Sequence, residues 1–297
     1  KVELKDTIEK CKDIKYENLE IIIVDNGSSD GSREYIRSLP TNKYKTILLD
    51  DNRGTAYGRT RGQMIGKGEF IVHLDDDAFL NPFVIEKTVK IFNTNPSLGA
   101  IGYGLVNPFS VALDDKKYWE NVEINIEKDR YKNSYHFPIS PSGAAFRTSA
   151  LIEVNYFDLN WDWTTRTEDN ELTLKLIAHG YNTVIIDSLI AYHKAAPSHR
   201  VPEILTINSI HGILWIILKF YPLSYIITKT FNFIFLCIYF SLINRKLIYI
   251  KAILRSLKNS YKMLSNDKRI NAELAKKINL RELNIFSMSS NVRWGGS

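Results

Sequence analysis

An α/β fold is predicted for this chain of 297 residues. Short apolar runs alternate with helical patterns through roughly the first 200 residues, as a layered α/β domain requires. Two of those runs end in clusters of acidic residues, where the strands of an open α/β sheet present their ligand sites. With 44% hydrophobic and 24% charged residues, the chain can also bury a full core.

The elements follow in order. Leu19–Val24 (LEIIIV) predicts a buried strand, 32–39 a helix, 44–49 a strand and 55–67 a helix. The run 70–74 (FIVHL) is the next strand. Pro82 at a helix start, followed by Val84, Ile85, Val89 and Phe92 at helical spacing, predicts another helix, and 100–106 returns as a strand. Residues 107–141 are polar, aromatic and irregular, the kind of segment that builds an acceptor site or lid over a rigid sheet. Regular structure resumes with 143–147, a helix over 169–179, and strands over 183–186 and 189–193.

A different composition begins near residue 204. From Ile204 to Asn244 the only formal charges are Lys219 and Lys229, and 223–243 alone is long enough to cross a bilayer. Two readings stay open, a crossing or apolar helices lying in the membrane interface. Beyond it, Leu247, Ile250, Leu254, Leu257, Tyr261 and Leu264 recur at spacings of three and four, with Lys251, Arg255, Lys258 and Lys262 between them. That is a basic amphipathic helix, suited to a membrane surface or to packing on its own domain. The expected organisation is a catalytic domain over 1–203, apolar membrane-associated helices over 204–244 and a basic amphipathic tail over 245–297.

The net charge of +6 belongs to that tail: Arg245 to Arg281 holds eleven Lys or Arg against Asp267 and Glu273. A basic stretch directly after an apolar one points to an anionic membrane surface, and with no recognisable reader motif a nucleic-acid partner is not expected. Cys11 and Cys237 are far apart and lack metal-type spacing, which predicts neither a disulfide framework nor a zinc site and fits a reducing compartment. No apolar signal core opens the sequence, so no export signal is expected, and the cytoplasmic face of a membrane is the expected location.

The chemistry is concentrated at the strand ends. Asp75, Asp76 and Asp77 follow FIVHL, and three adjacent carboxylates repel one another unless a cation or solvent relieves the field. Hard oxygen ligands suit Mg²⁺ or Mn²⁺, which complete their shells with phosphate oxygens and water; an N-cap cluster ahead of the Pro82 helix is the plainer alternative. LEIIIV runs into Asp25, Asn26, Gly27, Ser28, Ser29 and Asp30, a turn-rich loop that helix capping alone would also explain. Residues 52–62 (NRGTAYGRTRG) offer small residues for close backbone approach, with Arg59 and Arg61 to meet phosphate oxygens. Glu168 and Asp169 open a predicted helix, where acids are stabilising in any case. Trp161 and Trp163 could stack on sugar faces or simply join the core.

Taken in order, VDNGSSDGS (24–32), N-x-G-x-A-x-G from Asn52, GEFIVHLDDD (68–77), SGAAFR (142–147), TEDNELTLKLIAHGY (167–181) and the pair Tyr192-His193 resemble glycosyltransferase family 2, of the rhamnosyltransferase-like and lipid-linked-glycan kind. The resemblance implies the GT-A fold, a mixed central sheet flanked by helices, here with a C-terminal helical membrane-associated region. It implies an inverting, metal-dependent hexosyl- or deoxyhexosyltransferase that moves a sugar from a nucleoside-diphosphate donor to a lipid-linked or polysaccharide acceptor. Asp25, with Asn26, Asp30, Arg59, Asp75 and Asp76, would bind the donor; Asp77, with Asp75 and His193, would hold Mg²⁺ or Mn²⁺. Asp169 would be the catalytic base beside Glu168, and Trp161, Trp163, Ser142 and Gly143 would face the acceptor. His193 could equally just end a strand.

The sequence departs from the family in three places. The elements expected here open with the helix near Val2, without the family's opening strand; Thr60 stands where an Asn is usual, and Arg293-Trp294 has Ser290 at the Gln position of the processive motif. Single-sugar transfer is therefore the expectation. A sugar-phosphate nucleotidyltransferase and a non-catalytic membrane-bound scaffold that binds sugar nucleotides are the alternatives.

Overall fold

A computed structural model describes residues 2–108, 127–128, 130–159, 167–194, 202–258 and 268–277 of the chain. The chain divides into two compact units, Lys1–Trp163 with His179–Ser198, and Thr164–Ala178 with His199–Ser297.

In the first unit the described elements run α1 (Val2–Cys11), β1 (Ile21–Asn26), α2 (Ser32–Arg37), β2 (Tyr44–Leu49), α3 (Thr55–Ile65), β3 (Phe70–Leu74), β4 (Ala78–Leu80), α4 (Val84–Thr94), β5 (Leu98–Val106), β6 (Gly143–Arg147) and α5 (Thr148–Glu153), with β7 (Asn182–His193) returning after the second unit's first helix. β1 and β2 form a parallel pair, while β3-β6-β5-β7-β4 form a mixed five-stranded sheet in that order. Acidic residues stand at the carboxyl ends of both β1 and β3.

The core explains why these runs are strands. Leu98, Ala100 and Ile101 of β5, Ala144, Ala145 and Phe146 of β6, and Ile91 and Phe92 of α4 are all fully buried. Strands covered on both faces read as continuous apolar runs, which is how 98–106 and 143–147 read. α4 shows the helical counterpart, with Val84, Ile85, Thr88, Ile91 and Phe92 on its buried face.

Several expected boundaries shift for local reasons. The first strand starts at Ile21 rather than Leu19, because the Glu20 carboxylate turns aside to accept the Lys67 and Gly68 N–H groups and to pair with Lys45. Asp25 and Asn26 thus end the strand instead of following it. α3 stops at Ile65, where Gly66 is extended. The two strands expected over 183–193 are one, continuous through a jump in register against β5, in which Tyr103 faces Ile186 and Gly104 faces Ile190. The family's opening strand is not among the described residues; among these, β1 pairs only with β2 and β3 only with β6, and residues of both line a common cavity of about 950 Å³.

The second unit is helical: α6 (Glu168–Ala178), α7 (Pro202–Phe220), α8 (Leu223–Ile243), α9 (Ile248–Lys258) and α10 (Ala272–Lys277). α7 packs against α6, α8 and α9. Its interior holds an ionic cluster, with Glu171 3.2 Å from Lys219 and 3.6 Å from Lys175, all three buried. Arg269 closes the end of α7 by donating to the carbonyls of Leu218 (2.9 Å) and Tyr221 (2.7 Å). Tyr261, Lys262, Leu264, Ser290, Arg293 and Trp294 lie outside the described residues.

Candidate active site

Sheet register assembles the site. Leu74 pairs with Gly143 in the antiparallel β3/β6 ladder, so the residue after β3, Asp75, stands beside the residue before β6, Ser142. The Ser142 hydroxyl donates to Asp75 Oδ2 at 2.7 Å. On the far side of the sheet, Ala78 of β4 pairs with His193 of β7, which brings His193 next to Asp77. His193 Nε2 lies 3.1 Å from Asp77 Oδ1 and 3.8 Å from Asp75 Oδ2. The turn between β3 and β4 is tied by the Ala78 N–H on the Asp75 carbonyl, the Lys194 N–H on the Asp77 carbonyl and the Thr7 hydroxyl on the Asp76 carbonyl.

The electrostatics separate the three aspartates. Arg59 of α3 donates to Asp75 Oδ1 at 2.6 Å. Burial would raise the Asp75 carboxyl, but Arg59, Ser142 and His193 together outweigh it and hold it below the usual carboxylate range. For Asp76, loss of solvation followed by repulsion from Asp77 and Asp75 wins and raises it. The hydrogen bond to Asp77 raises His193 above the ordinary histidine value.

Asp75, Asp77 and His193 each offer one ligand atom, and the three atoms lie within 4.8 Å of one another. Two carboxylate oxygens and one imidazole nitrogen form a donor set that fits Mn²⁺ or Mg²⁺ and leaves coordination positions for phosphate oxygens and water. Asp76, exposed between them, is not part of this trio.

A second cluster sits at the ends of β1 and β2. Asp25 is buried, accepts the Ser28 N–H at 3.2 Å and lies 3.4 Å from Arg33 of α2. The Asn26 amide bonds Asn52 Oδ1 at 3.1 Å and the Gly54 carbonyl at 3.0 Å, and its own oxygen accepts the Arg53 N–H at 3.2 Å, so Asn26 ties the two expected donor loops together. Gly27 makes this closure possible. It sits at φ +76°, and a Cβ there would lie 2.7 Å from the Asn52 nitrogen. Asp30 accepts the Ser32 N–H at the start of α2. Arg61 is exposed, in contrast to Arg59.

The remaining expected residues fall in different places. Ser142, expected near the acceptor, donates to Asp75. Gly143 is set by packing, since a Cβ there would lie 2.6 Å from Ala191 Cβ. Glu168 and Asp169 open α6 in the second unit, where Asp169 Oδ1 accepts the Asn170 N–H at 2.9 Å. Trp161 and Trp163 lie outside the described residues. Thr60, the departure from the family pattern, is buried.

Sequence reading missed Arg33, Lys194 and the pair Gln63–His73. Arg33 had a signal in its place on the first turn of the helix after the Asp25 loop. Lys194 lies 2.6 Å from both Glu3 and Asp6, joining α1 to the end of β7. His73 Nε2 is 2.9 Å from Gln63 Nε2, and burial, with Arg59 adding to it, pushes the imidazole down to about 3, so it stays neutral beneath the site.

This fold and strand-end site define a class. The profile described as "Glycosyl transferase family 2" matches residues 1–154, and the chain belongs to that family. It is 28% identical over 182 residues to the poly-beta-1,6-N-acetyl-D-glucosamine synthase of Staphylococcus aureus (strain COL), covering 60% of this chain and 43% of that protein. It is 30% identical over 168 residues to the glucosyl-dolichyl phosphate glucuronosyltransferase of Haloferax volcanii, covering 52% of this chain and 51% of that protein. The chain thus spans about half the length of the curated relatives it matches. Among solved structures, the GT-A fold is shared with a mannosyltransferase from Pyrobaculum calidifontis in complex with GDP-Man and Mn²⁺ (TM-score 0.52, 18% identity, 72% of this chain and 58% of that one). It is shared also with S. aureus TarS 1–349 in complex with UDP-GlcNAc (TM-score 0.51, 15% identity, 73% and 63%).

Proposed function

We propose that the protein is an inverting glycosyltransferase that moves one sugar from a nucleoside-diphosphate donor to a lipid-linked or polysaccharide acceptor at the cytoplasmic face of a membrane. The observation that carries the reading is the convergence of Asp75, Asp77 and His193 within 4.8 Å, with Arg59 and Ser142 bracing Asp75. Solved relatives of the same fold bind GDP-Man with Mn²⁺ and UDP-GlcNAc, which supports a donor of that chemical class. Residues 1–203 would form the catalytic domain, with 204–244 and 245–297 serving attachment.

In this reading Asp25, Asn26 and Asp30 hold the nucleoside end of the donor, and Asp75, Asp77 and His193 hold Mg²⁺ or Mn²⁺. Such an ion would neutralise charge on the departing diphosphate. Arg59 supplies a further positive charge beside the same carboxylate, and Asp76, with its raised pKa, adds a donor-side polar group. Asp169, with Glu168 next to it, takes the proton from the acceptor hydroxyl as that oxygen bonds to the anomeric carbon. The bond from carbon to diphosphate oxygen breaks on the opposite face, its electron pair leaving with the diphosphate. Trp161, Trp163, Ser142 and Gly143 are proposed on the acceptor side, Ser142 acting through Asp75.

The test is Mn²⁺-dependent release of nucleoside diphosphate from a panel of nucleotide sugars, with Asp169→Asn beside the unaltered chain. Turnover that falls about 100-fold or more in the variant is expected of a general base. Pyrophosphate released from a nucleoside triphosphate would make the protein a nucleotidyltransferase instead, and unchanged turnover in Asp169→Asn would remove that residue from the mechanism.

A further inference from the structure

α8 is long and apolar enough to cross a bilayer by length and composition, yet its surroundings within the helical unit indicate a different use. One face is packed: Phe233, Cys237 and Ser241 are buried. Beside that face runs an exposed row, Leu223, Ile227, Phe231, Phe235, Ile238 and Leu242, at spacings of four, four, four, three and four. Exposed large apolar side chains in a continuous row are unusual for a surface in water and mark a binding face. Ser224, Thr228 and Asn232 flank it, also exposed.

α9 decides between crossing and lying flat. It packs against both α7 and α8, burying Ala252, Ile253 and Ser256. Its exposed side interleaves two chemistries, with Leu254 and Leu257, and Leu247 just ahead of the helix, beside Lys251, Arg255 and Lys258. Arg245 and Lys246 are exposed in the turn that joins the two helices, and no acidic residue occurs between Ile204 and Lys258. If α8 crossed the hydrocarbon, α9, held against it, would enter with the exposed cations Lys251 and Lys258, which hydrocarbon does not solvate. α7 would be drawn in too, with the buried Glu171–Lys219 pair behind it. Lying in the plane of the interface meets both chemistries at once: apolar side chains reach the acyl region while the cations meet lipid phosphates.

We propose that α8 and α9 form a monotopic docking surface for an anionic lipid bilayer, with the exposed row of α8 inserted to shallow depth parallel to the membrane and the cations of α9 on the headgroups. This deepens the membrane placement of the proposed function and assigns its mode and lipid class. It does not depend on sugar transfer.

The test is flotation of the full chain with vesicles of phosphatidylcholine alone or mixed with phosphatidylglycerol, without donor or acceptor. Binding is expected only to the anionic vesicles, with roughly a five-fold loss of partitioning for each of Lys251, Arg255 and Lys258 changed to Gln. Phe231→Asp with Phe235→Asp should abolish it, while circular dichroism and nucleoside diphosphate release stay at the level of the unaltered chain. To separate lying from crossing, Asn232→Cys in a Cys11→Ser chain is treated on vesicles with a charged maleimide. Labelling from outside is expected, and a protected, carbonate-resistant helix would overturn the proposal in favour of a span. Equal binding to both vesicle types would overturn the anionic assignment. A lipid-free dimer dissolved by the Phe231/Phe235 changes would make the row a contact between copies. Diphosphate release without vesicle binding would sink this inference and leave the transferase standing.

Discussion

The support of Asp75 yields a sharp prediction, because its two oxygens answer to different partners. Arg59 holds Oδ1 at 2.6 Å and the Ser142 hydroxyl holds Oδ2 at 2.7 Å, which fixes the plane of the carboxylate toward Asp77 and His193. Ser142→Ala removes a hydrogen bond to a charged acceptor, worth about 1.5–3 kcal/mol, or on the order of 10- to 100-fold in an equilibrium. Two effects then oppose one another. A carboxylate relieved of one donor is more basic and should bind a cation better, but one released to rotate can turn both oxygens onto the Arg59 guanidinium, which competes with the cation. Orientation should win, because the geometry of partners behind metal ligands typically governs affinity by about 10- to 100-fold. The assay is Mn²⁺ titration followed by electron paramagnetic resonance of the free ion, with no donor present and Ser142→Thr as the conservative control. A 10- to 100-fold weaker affinity in Ser142→Ala, largely restored in Ser142→Thr, is expected. Unchanged or tighter binding in Ser142→Ala would refute the claim that this hydroxyl orients a metal-binding carboxylate.

Three further predictions concern parts of the fold that carry the site. Gly27→Ala places a side chain at φ +76° and 2.7 Å from the Asn52 nitrogen, so a stability loss of at least ~2 kcal/mol in urea denaturation is expected; a loss of a few tenths would show that the loop yields freely. Glu171 serves two buried cations, so Glu171→Leu should cost about 3–5 kcal/mol in helical stability, clearly more than Lys219→Met, which leaves Glu171 its contact with Lys175. Equal costs in thermal melts followed at 222 nm would contradict that asymmetry. Burial pushes the Cys11 thiol up to about 11 and Cys237 to about 12. Since only the thiolate reacts, alkylation of Cys11 in the folded chain should rise about tenfold per pH unit from pH 8 to about 10 and run ahead of Cys237; a plateau near pH 9 would mean an ordinary exposed thiol.

The parts of this protein legible in its sequence are those fixed by neighbours in the chain. The acidic residues that close IIIV and FIVHL could be found because a buried strand imposes its apolar run on successive residues and Asp25 and Asp75 interrupt it. Helix α4 was legible from Pro82 and its periodicity. β4 was not, because three residues carry no period of their own, and Ala78–Leu80 become a strand only by pairing with Ala191–His193. The continuity of β7 was hidden for the same reason: Asp187 and Ser188 read as a break between strands, whereas Gly104 on the neighbouring strand lets the ladder resume at Ile190. Ser142 was noticed but its bond to Asp75 was not, because that approach follows from the pairing of Leu74 with Gly143, a register between residues far apart in the chain.

That dependence on register has a consequence for how such a site tolerates change. Asp75 and Asp77 are two residues apart on one short turn, but their partners Ser142 and His193 arrive on β6 and β7, the neighbours on either side of β5 in the same sheet. A one-residue slip of either strand would turn its side chains to the other face and carry Ser142 or His193 away from the carboxylates. The fully buried residues of β5 and β6 therefore act on the chemistry at a distance: Ile101 faces Ala145 and Gly102 faces Ala144, and their close fit holds the register that delivers Ser142. A bulky substitution at Ala144 or Ala145 should therefore disturb Asp75 although it touches no ligand. The apolar core, no less than the acidic turn, determines where the oxygen and nitrogen atoms of Asp75, Asp77 and His193 lie.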